Sequence, residues 1–184
     1  MADTQHSVLS TQSFPLEGLR VLAMEAAVAG PLATRHLADL GADVIKVERP
    51  EGDFARRYDE TVQGLSAYFV WLNRGKRSIV LDWRQPRDRD ALDRLLARSD
   101  ALVHNLGPGA MERLGLGKAQ LTEQYPQLIH CGISGYGTDG PYATKKAFDL
   151  LVQGESGVIS VTGTPEQPCK VGISIGDISA GMYA

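Results

Sequence analysis

The sequence predicts an α/β protein with a Rossmann-like parallel sheet and helices on both faces. Three observations carry this expectation. Short apolar runs of strand length recur along the chain, helical stretches punctuated by proline and glycine separate them, and the strand–helix plan then repeats. Alternation of this kind implies parallel strands covered on both sides.

The first run is LRVLAM, Leu19 to Met24. PLATRHLADLG follows, with Pro31 suited to a first helical turn and Gly41 to a helix end. ADVIKVERP, Ala42 to Pro50, reads as a second buried strand stopped by proline. RSIVLD (Arg77 to Asp82), the helix-like PRDRDALDRLLARSD and ALVHNL (Ala101 to Leu106) repeat the plan, with Leu92, Leu95 and Leu96 at helical spacing. A helical segment around Leu121 to Tyr125 leads into a further strand, Gln127 to Ser134. A helix is expected over KKAFDLLVQ, with Lys146 at its start and Phe148, Leu151 and Val152 on its apolar face. Residues 1–15 are polar and are expected to form a flexible arm, leaving residues 16–184 as one domain. The closing GDISAGMYA has no cap and no proline or glycine stop, so it reads as an interrupted helix in a truncated chain. An apolar seam over Ile173 to Met182 is expected to lie exposed.

A formal charge of −3 disfavours nucleic acid or a polybasic membrane surface as partner. No apolar run reaches the roughly 18 residues that span a bilayer, and the start lacks a signal-peptide layout. Cys131 and Cys169 form no CxxC pair, and the four histidines show no ligand spacing; a cytoplasmic protein with reduced thiols and no metal is expected. The first strand-to-helix turn lacks GxGxxG, no GxxxxGK[ST] occurs, and Ser160 and Ser174 lack a GxSxG elbow.

Basic residues near strand ends are more informative, because ligands of open parallel sheets lie outside the carboxyl ends of strands. Arg49, Arg84 and Lys146 are either solvated surface charges or, together, a site for a phosphorylated ligand. HNLGPGAMERLG adds a Gly-Pro-Gly turn whose bare amides can approach an anion, or which simply turns the chain. Asp149, four residues before Gln153, is either a solvated helix acid or a second catalytic group. Asp177 stands among Val171, Ile173, Ile175 and Ile178 after Gly176. A carboxylate in apolar surroundings is either the N-cap of a following helix or a reactive group.

These motifs resemble the class III coenzyme A transferases, the group of formyl-CoA transferase, carnitine-related CoA transferase and the alpha-methylacyl-CoA racemases. The resemblance runs from LEGLRVL through AGPLATRHLADLGADVIKVERP, NRGKRSIVLD, HNLGPGAMERLGLG, SGYGTDGPY and AFDLLVQGESG to VGISIGDISAGMYA. It implies the large domain of a longer, interlocked homodimer that acts on CoA thioesters as substrates and keeps no permanently bound cofactor. By motif it makes Asp177 the catalytic aspartate, with Asp149 as an auxiliary group. It assigns coenzyme A contacts to Ala27, Val28, Arg49, Leu81, Asp82, Trp83, Arg84, Asn105, Leu106, Gly107, Arg113 and Lys146. Formyl-CoA transferase has glutamine where Val28 stands, which sets this chain apart from formyl and oxalate chemistry. The wording from Val152 to Ala184 resembles the branch that handles itaconate, mesaconate or citramalate with succinyl-CoA as donor. A 2-methylacyl-CoA racemase, or a CoA-binding fragment without catalysis, is the alternative.

Overall fold

Leu22 and Met24 face one side of the first strand and Val21 and Ala23 the other, and each pair is buried in a separate apolar cluster. That two-sided burial defines the architecture of the computed structural model, which describes residues 13–184; the expected flexible arm lies largely outside the described residues. Five parallel strands, β1 (Arg20–Met24), β2 (Asp43–Glu48), β3 (Arg77–Val80), β4 (Ala101–His104) and β5 (Ile129–Gly132), run in the order β3-β2-β1-β4-β5. The α/β reading and the parallel sheet therefore hold.

Helix α1 (Ala29–Asp39) covers one face, where Leu37 and Ala38 meet Val21, Val44 and Val103. On the opposite face, Leu92 and Leu96 of α3 (Pro86–Leu96), Met111 of α4 (Ala110–Arg113) and Leu121 of α5 (Lys118–Gln124) pack on Leu22, Ile45, Val47 and Leu102. Each leucine fully removed from water there contributes about 2 kcal/mol. Helix α2 (Ala67–Asn73) sends Leu72 against Val28 and Leu32 at the start of α1. Ser66 caps α2 by accepting from the Phe69 amide at 3.3 Å.

Two further helices complete the chain: α6 (Asp149–Glu155) and α7 (Ile175–Tyr183). Helix α6 begins at Asp149 rather than at the lysines, because Phe148 is extended (φ −138°, ψ 148°) and Lys145, ahead of the helix, pairs with Glu155 at its last position, against the rings of Tyr136 and Tyr142. Its expected apolar face is buried only in part, since Phe148 and Leu151 are exposed, Val152 is half-buried beside Gly176, and Gln153 is the residue that goes inside. The exposed seam is present at its ends, where Ile173, Met182 and Tyr183 are open to solvent. No helix among the described residues is long and apolar enough to cross a membrane.

One polar pair is set into the sheet. His104 on β4 and His130 on β5 meet through their Nε2 atoms at 2.9 Å with ring planes 19° apart, so a single proton is shared between them. The buried Nδ1 of His104 has no partner. An unpaired lone pair is cheaper than an unpaired N–H, which assigns the shared proton to His104 as donor and Nε2 of His130 as acceptor. Burial and the neighbouring His130 hold His104 down at about 4, and burial lowers His130 as well. Both folded values lie below the ~6.5 of a free imidazole, so the unfolded chain binds protons first and stability is lost as pH falls below that value toward 4. Replacing both histidines by leucine should abolish about 2 kcal/mol of the stability loss between pH 7 and pH 5. Denaturant titrations at the two pH values check this; equal acid sensitivity in wild type and variant would contradict it.

Candidate active site

The carboxyl ends of β1 and β4 diverge where the strand order reverses, and the crevice of an open parallel sheet forms there. Asn105, the residue after β4, bridges it. Its Oδ1 accepts from the Ala26 amide at 2.9 Å and its Nδ2 donates to the Ala26 carbonyl at 2.8 Å. Gly30 makes room for this contact, since a Cβ there would stand 3.0 Å from both Asn105 Cγ and Glu25 Cβ. Ala27 then adopts φ +64°, in the left-handed region that costs a non-glycine residue about 1 kcal/mol or more. Val28 is buried and stands at the N-cap of α1 without a side-chain hydrogen bond, so no side chain of its own occupies the amides at the helix start. Met24, Val47, Trp83 and Leu106 wall the crevice on its apolar side, Glu25, Glu48 and Asp53 line it as well, and the exposed Arg49 completes it.

Of the expected contacts, Arg49, Trp83 and Leu106 share the crevice and Asn105 joins it through Ala26, while Ala27 and Val28 follow in the same turn and pack toward Leu32, Tyr68, Leu72 and Ile178. The other expected contacts are placed differently. Leu81 belongs to the buried core. Arg84 lies against its own neighbour Asp82 at 2.7 Å, so its charge is already partnered. Gly107 and Arg113 are exposed, with Arg113 donating to the Pro108 carbonyl at 3.4 Å. Lys146 is exposed in the loop ahead of α6 instead of opening that helix.

Beneath the Ala26–Val28 turn lies a set of buried charges that the sequence reading missed. Lys46 Nζ stands 2.8 Å from Asp53 Oδ2 and 3.7 Å from Glu25 Oε1, while Lys76 Nζ donates to Glu25 Oε1 at 2.7 Å and to the Pro31 carbonyl at 2.8 Å. The Thr34 hydroxyl donates to Glu25 Oε2 at 2.8 Å. Two carboxylates and two ammonium groups balance, as burial of charge requires. Burial nevertheless draws Lys76 down to about 8, against the pull of Glu25. Beside this set, Glu48 accepts two hydrogen bonds from Arg56, at 2.9 and 2.7 Å, and one from Ser78. Burial opposes its charge, but those bonds and the Asp53 amide hold it down at about 2. The available signal was Lys46 and Glu48 themselves, charged residues inside a strand expected to be covered on both faces.

Helix α7 lies across α1. The crossing is close because Gly181 has no Cβ, which would meet the Ala29 carbonyl oxygen at 2.6 Å. Ile178 joins Ala27, Tyr68 and the buried Val28, Leu32 and Leu72 in one cluster, which brings α7 beside the crevice turn. Asp149 Oδ1 accepts from the Gly176 amide at 2.8 Å and the Asp177 amide at 3.3 Å, and its Oδ2 accepts from Gln153 at 2.7 Å. Asp149, not Asp177, therefore caps α7. Gly176 is small for the same contact, because a Cβ there would stand 3.1 Å from Asp149 Oδ1. Asp177, at the third position of α7, is half-buried, and burial followed by the Asp149 charge pushes its carboxyl up to about 6. An aromatic ladder of Phe54, Tyr58, Tyr68 and Trp71, with successive ring centres 5.8–6.0 Å apart, flanks this end of α1. Burial, Asp53 and Asp177 raise the Tyr58 hydroxyl.

Residues 16–184 match the profile of CoA-transferase family III. The chain belongs to that family. Among its relatives is a succinate–glutarate CoA-transferase of Agrobacterium fabrum, 41% identical over 179 residues that make up 92% of this chain and 45% of that protein. A formyl-CoA:oxalate CoA-transferase of Streptomyces avermitilis is 41% identical over 171 residues, covering 92% of this chain and 42% of the relative. Among solved structures, a CAIB/BAIF family protein from Brucella suis superposes with a TM-score of 0.88 at 41% identity, over 94% of this chain and 47% of that one. The chain spans about half the length of these relatives.

The two aspartates separate in a pH experiment. Asp149→Asn keeps the oxygen that caps α7 but removes the charge, so the carboxyl of Asp177 should fall below about 6 while burial, the larger cause, still holds it above the ordinary range, and the acid limb of the rate profile should move to lower pH. Asp149→Ala removes the cap as well and should cost about 1 kcal/mol of stability. Rate–pH profiles and thermal melts of the whole protein read both effects; an unmoved acid limb in the asparagine variant would show that Asp149 does not act on Asp177.

Proposed function

We propose that the chain carries the CoA-binding and nucleophilic part of an acyl-CoA transferase that moves CoA between carboxylic acids through an aspartyl intermediate. The observation that carries this reading is the half-buried Asp177 carboxylate, released from any capping role by Asp149 and held beside the crevice turn by the packing of α7 on α1. Its pKa near 6 leaves it ionised at neutral pH and more basic than an exposed aspartate, as a carboxylate nucleophile requires.

The reaction needs no ATP. An Asp177 oxygen attacks the thioester carbonyl of the donor, the C–S bond breaks, and CoA leaves as thiolate from an acyl-aspartyl anhydride. The thiolate attacks the aspartyl carbonyl and expels the donor acid, giving an aspartyl-CoA thioester. The acceptor carboxylate attacks that thioester, forming a second anhydride and freeing the thiolate again. Thiolate attack on the acceptor carbonyl then yields the new acyl-CoA and returns Asp177 as carboxylate. Water must stay out while the activated species last, and the apolar wall around Ile178, Tyr68 and Val28 supports that role.

Short dicarboxylates are the substrate class in this reading, with succinyl-CoA as donor. The Agrobacterium relative, named for succinate and glutarate, supports a short dicarboxylate; within that class the reading takes as acceptor a branched acid of the itaconate, mesaconate or citramalate type, on the resemblance of the Val152 to Ala184 wording alone. A homodimer and a cytoplasmic setting belong to the same reading. Racemisation has less support. It needs two proton-transferring groups, and the residue before Asp149 is Phe148, a phenyl ring that is itself exposed.

In the whole protein, Asp177→Ala should preserve CoA binding and slow transfer at least roughly a thousandfold, about 4 kcal/mol of barrier. Hydroxylamine should modify Asp177 only when acyl-CoA is present. Near-normal transfer by the variant, or a label on Asp149, would remove the proposed mechanism. A panel of succinate, glutarate, oxalate, itaconate, mesaconate and citramalate, followed by mass spectrometry of the CoA products, names the acceptor.

A further inference from the structure

The Ala26–Val28 turn is held from two sides, and only the Asn105 side was visible as a motif. On the other side, Asp53 Oδ1 accepts from the Ala27 amide at 3.1 Å and from the Ala55 amide at 2.9 Å. Its second oxygen is held by Lys46 at 2.8 Å, and both side chains are shut off from water. Ala27 is one of two described non-glycine residues at positive φ, and it stands directly ahead of the residue that starts α1. A strained residue persists only where its surroundings over-determine it. Here Asn105 fixes both polar atoms of Ala26, and Asp53 fixes the next amide.

We infer that Asp53, aimed by Lys46, is a positioning residue that locks Ala27 in its left-handed conformation and so sets the crevice turn for the CoA thioester. The inference rests on the transferase reading, in which Ala27 and Val28 contact the coenzyme. The Ala27 amide is spent on Asp53, so the ligand meets the turn's outer surface and the open amides of α1. If the contact were lost, Ala27 would relax toward negative φ, and the chain entering α1 would swing with it. The charge of Asp53 serves to keep the oxygen in place; the oxygen is what the turn needs.

Two paired substitutions separate oxygen from charge. Lys46→Met with Asp53→Asn removes one positive and one negative charge and keeps an acceptor of the same reach. Lys46→Met with Asp53→Ser keeps a hydroxyl able to cap the Ala55 amide but, being one bond shorter, withdraws from Ala27. The asparagine pair should hold KM for acyl-CoA within about threefold of wild type, while the serine pair should raise it tenfold or more with a smaller change in kcat. Hydrogen exchange supplies a readout independent of activity. In wild type the Ala27 amide should exchange at least a hundredfold more slowly than a free loop amide, and the serine pair should lose that protection. An unchanged KM in the serine pair, an equal rise in both pairs, or fast exchange of Ala27 in wild type overturns the inference. If wild type neither binds nor exchanges CoA, the transferase reading falls instead, and the exchange data still decide whether Asp53 holds the turn.

Discussion

The buried ion pair between Lys46 and Asp53 is the contact on which the rest of the site depends. Charges this far from water are tolerated only when each has a partner and spare hydrogen bonds, and removal of one member of such a pair typically costs about 3–5 kcal/mol. Lys46 reaches Asp53 and Glu25, and Lys76 and Thr34 complete the shell of Glu25. The cluster joins β1, β2, the loop after β2 and the start of β3. An apolar core of the same volume would hold those segments together as well, but it would not aim a carboxylate oxygen at one backbone amide of a left-handed residue. Direction distinguishes the polar solution from the apolar one.

The second constraint is the seating of α7. Close packing of two helices needs small residues at the crossing, and Gly181 against the Ala29 carbonyl provides that. The N-terminus of α7 carries a partial positive charge that would ordinarily stabilise a carboxylate in its first turn and lower its pKa. Asp149 intercepts it by accepting from the amides of Gly176 and Asp177, the second and third residues of the helix. Asp177 is left with burial and a neighbouring negative charge, both of which raise its pKa. Two aspartates on successive helices thus divide the work: one satisfies the backbone, and the other keeps a carboxylate with raised basicity beside the crevice.

The sheet was legible because its signal is local. A strand buried on both faces carries apolar residues at consecutive positions, as LRVLAM and ALVHNL do from Val21 to Met24 and from Ala101 to Val103, and as ADVIKVERP does at Val44, Ile45 and Val47 despite Lys46 and Glu48. Helix α3 was legible for the same reason, through Leu92, Leu95 and Leu96. Helix α6 was misplaced because its start depends on a partner distant in sequence: Asp149 has its first-turn place through the α7 amides, while Lys145 is drawn aside by Glu155 and two tyrosines. Its leucines read as a core face, yet the surface they would cover is not supplied by the described residues.

By itself the sequence determined the strand and helix order, the crevice at the carboxyl ends of the strands, and Asp177 as a carboxylate in need of a reason. These follow from periodicity, turn residues and hydrophobicity, all properties of a few neighbouring positions. Only the tertiary structure decided which acid caps and which stays free, which basic residues are already partnered, and what holds Ala27 in place. Some of these partners are near in sequence, as Arg84 and Asp82 or Lys46 and Asp53 are, but others are 26 to 79 positions apart, as with Asp53 and Ala27, Asp149 and Gly176, Lys76 and Glu25, or Asn105 and Ala26. No local pattern encodes them, because a hydrogen bond or an ion pair acts over about 3 Å and comes into being only once the sheet has brought its strand ends together.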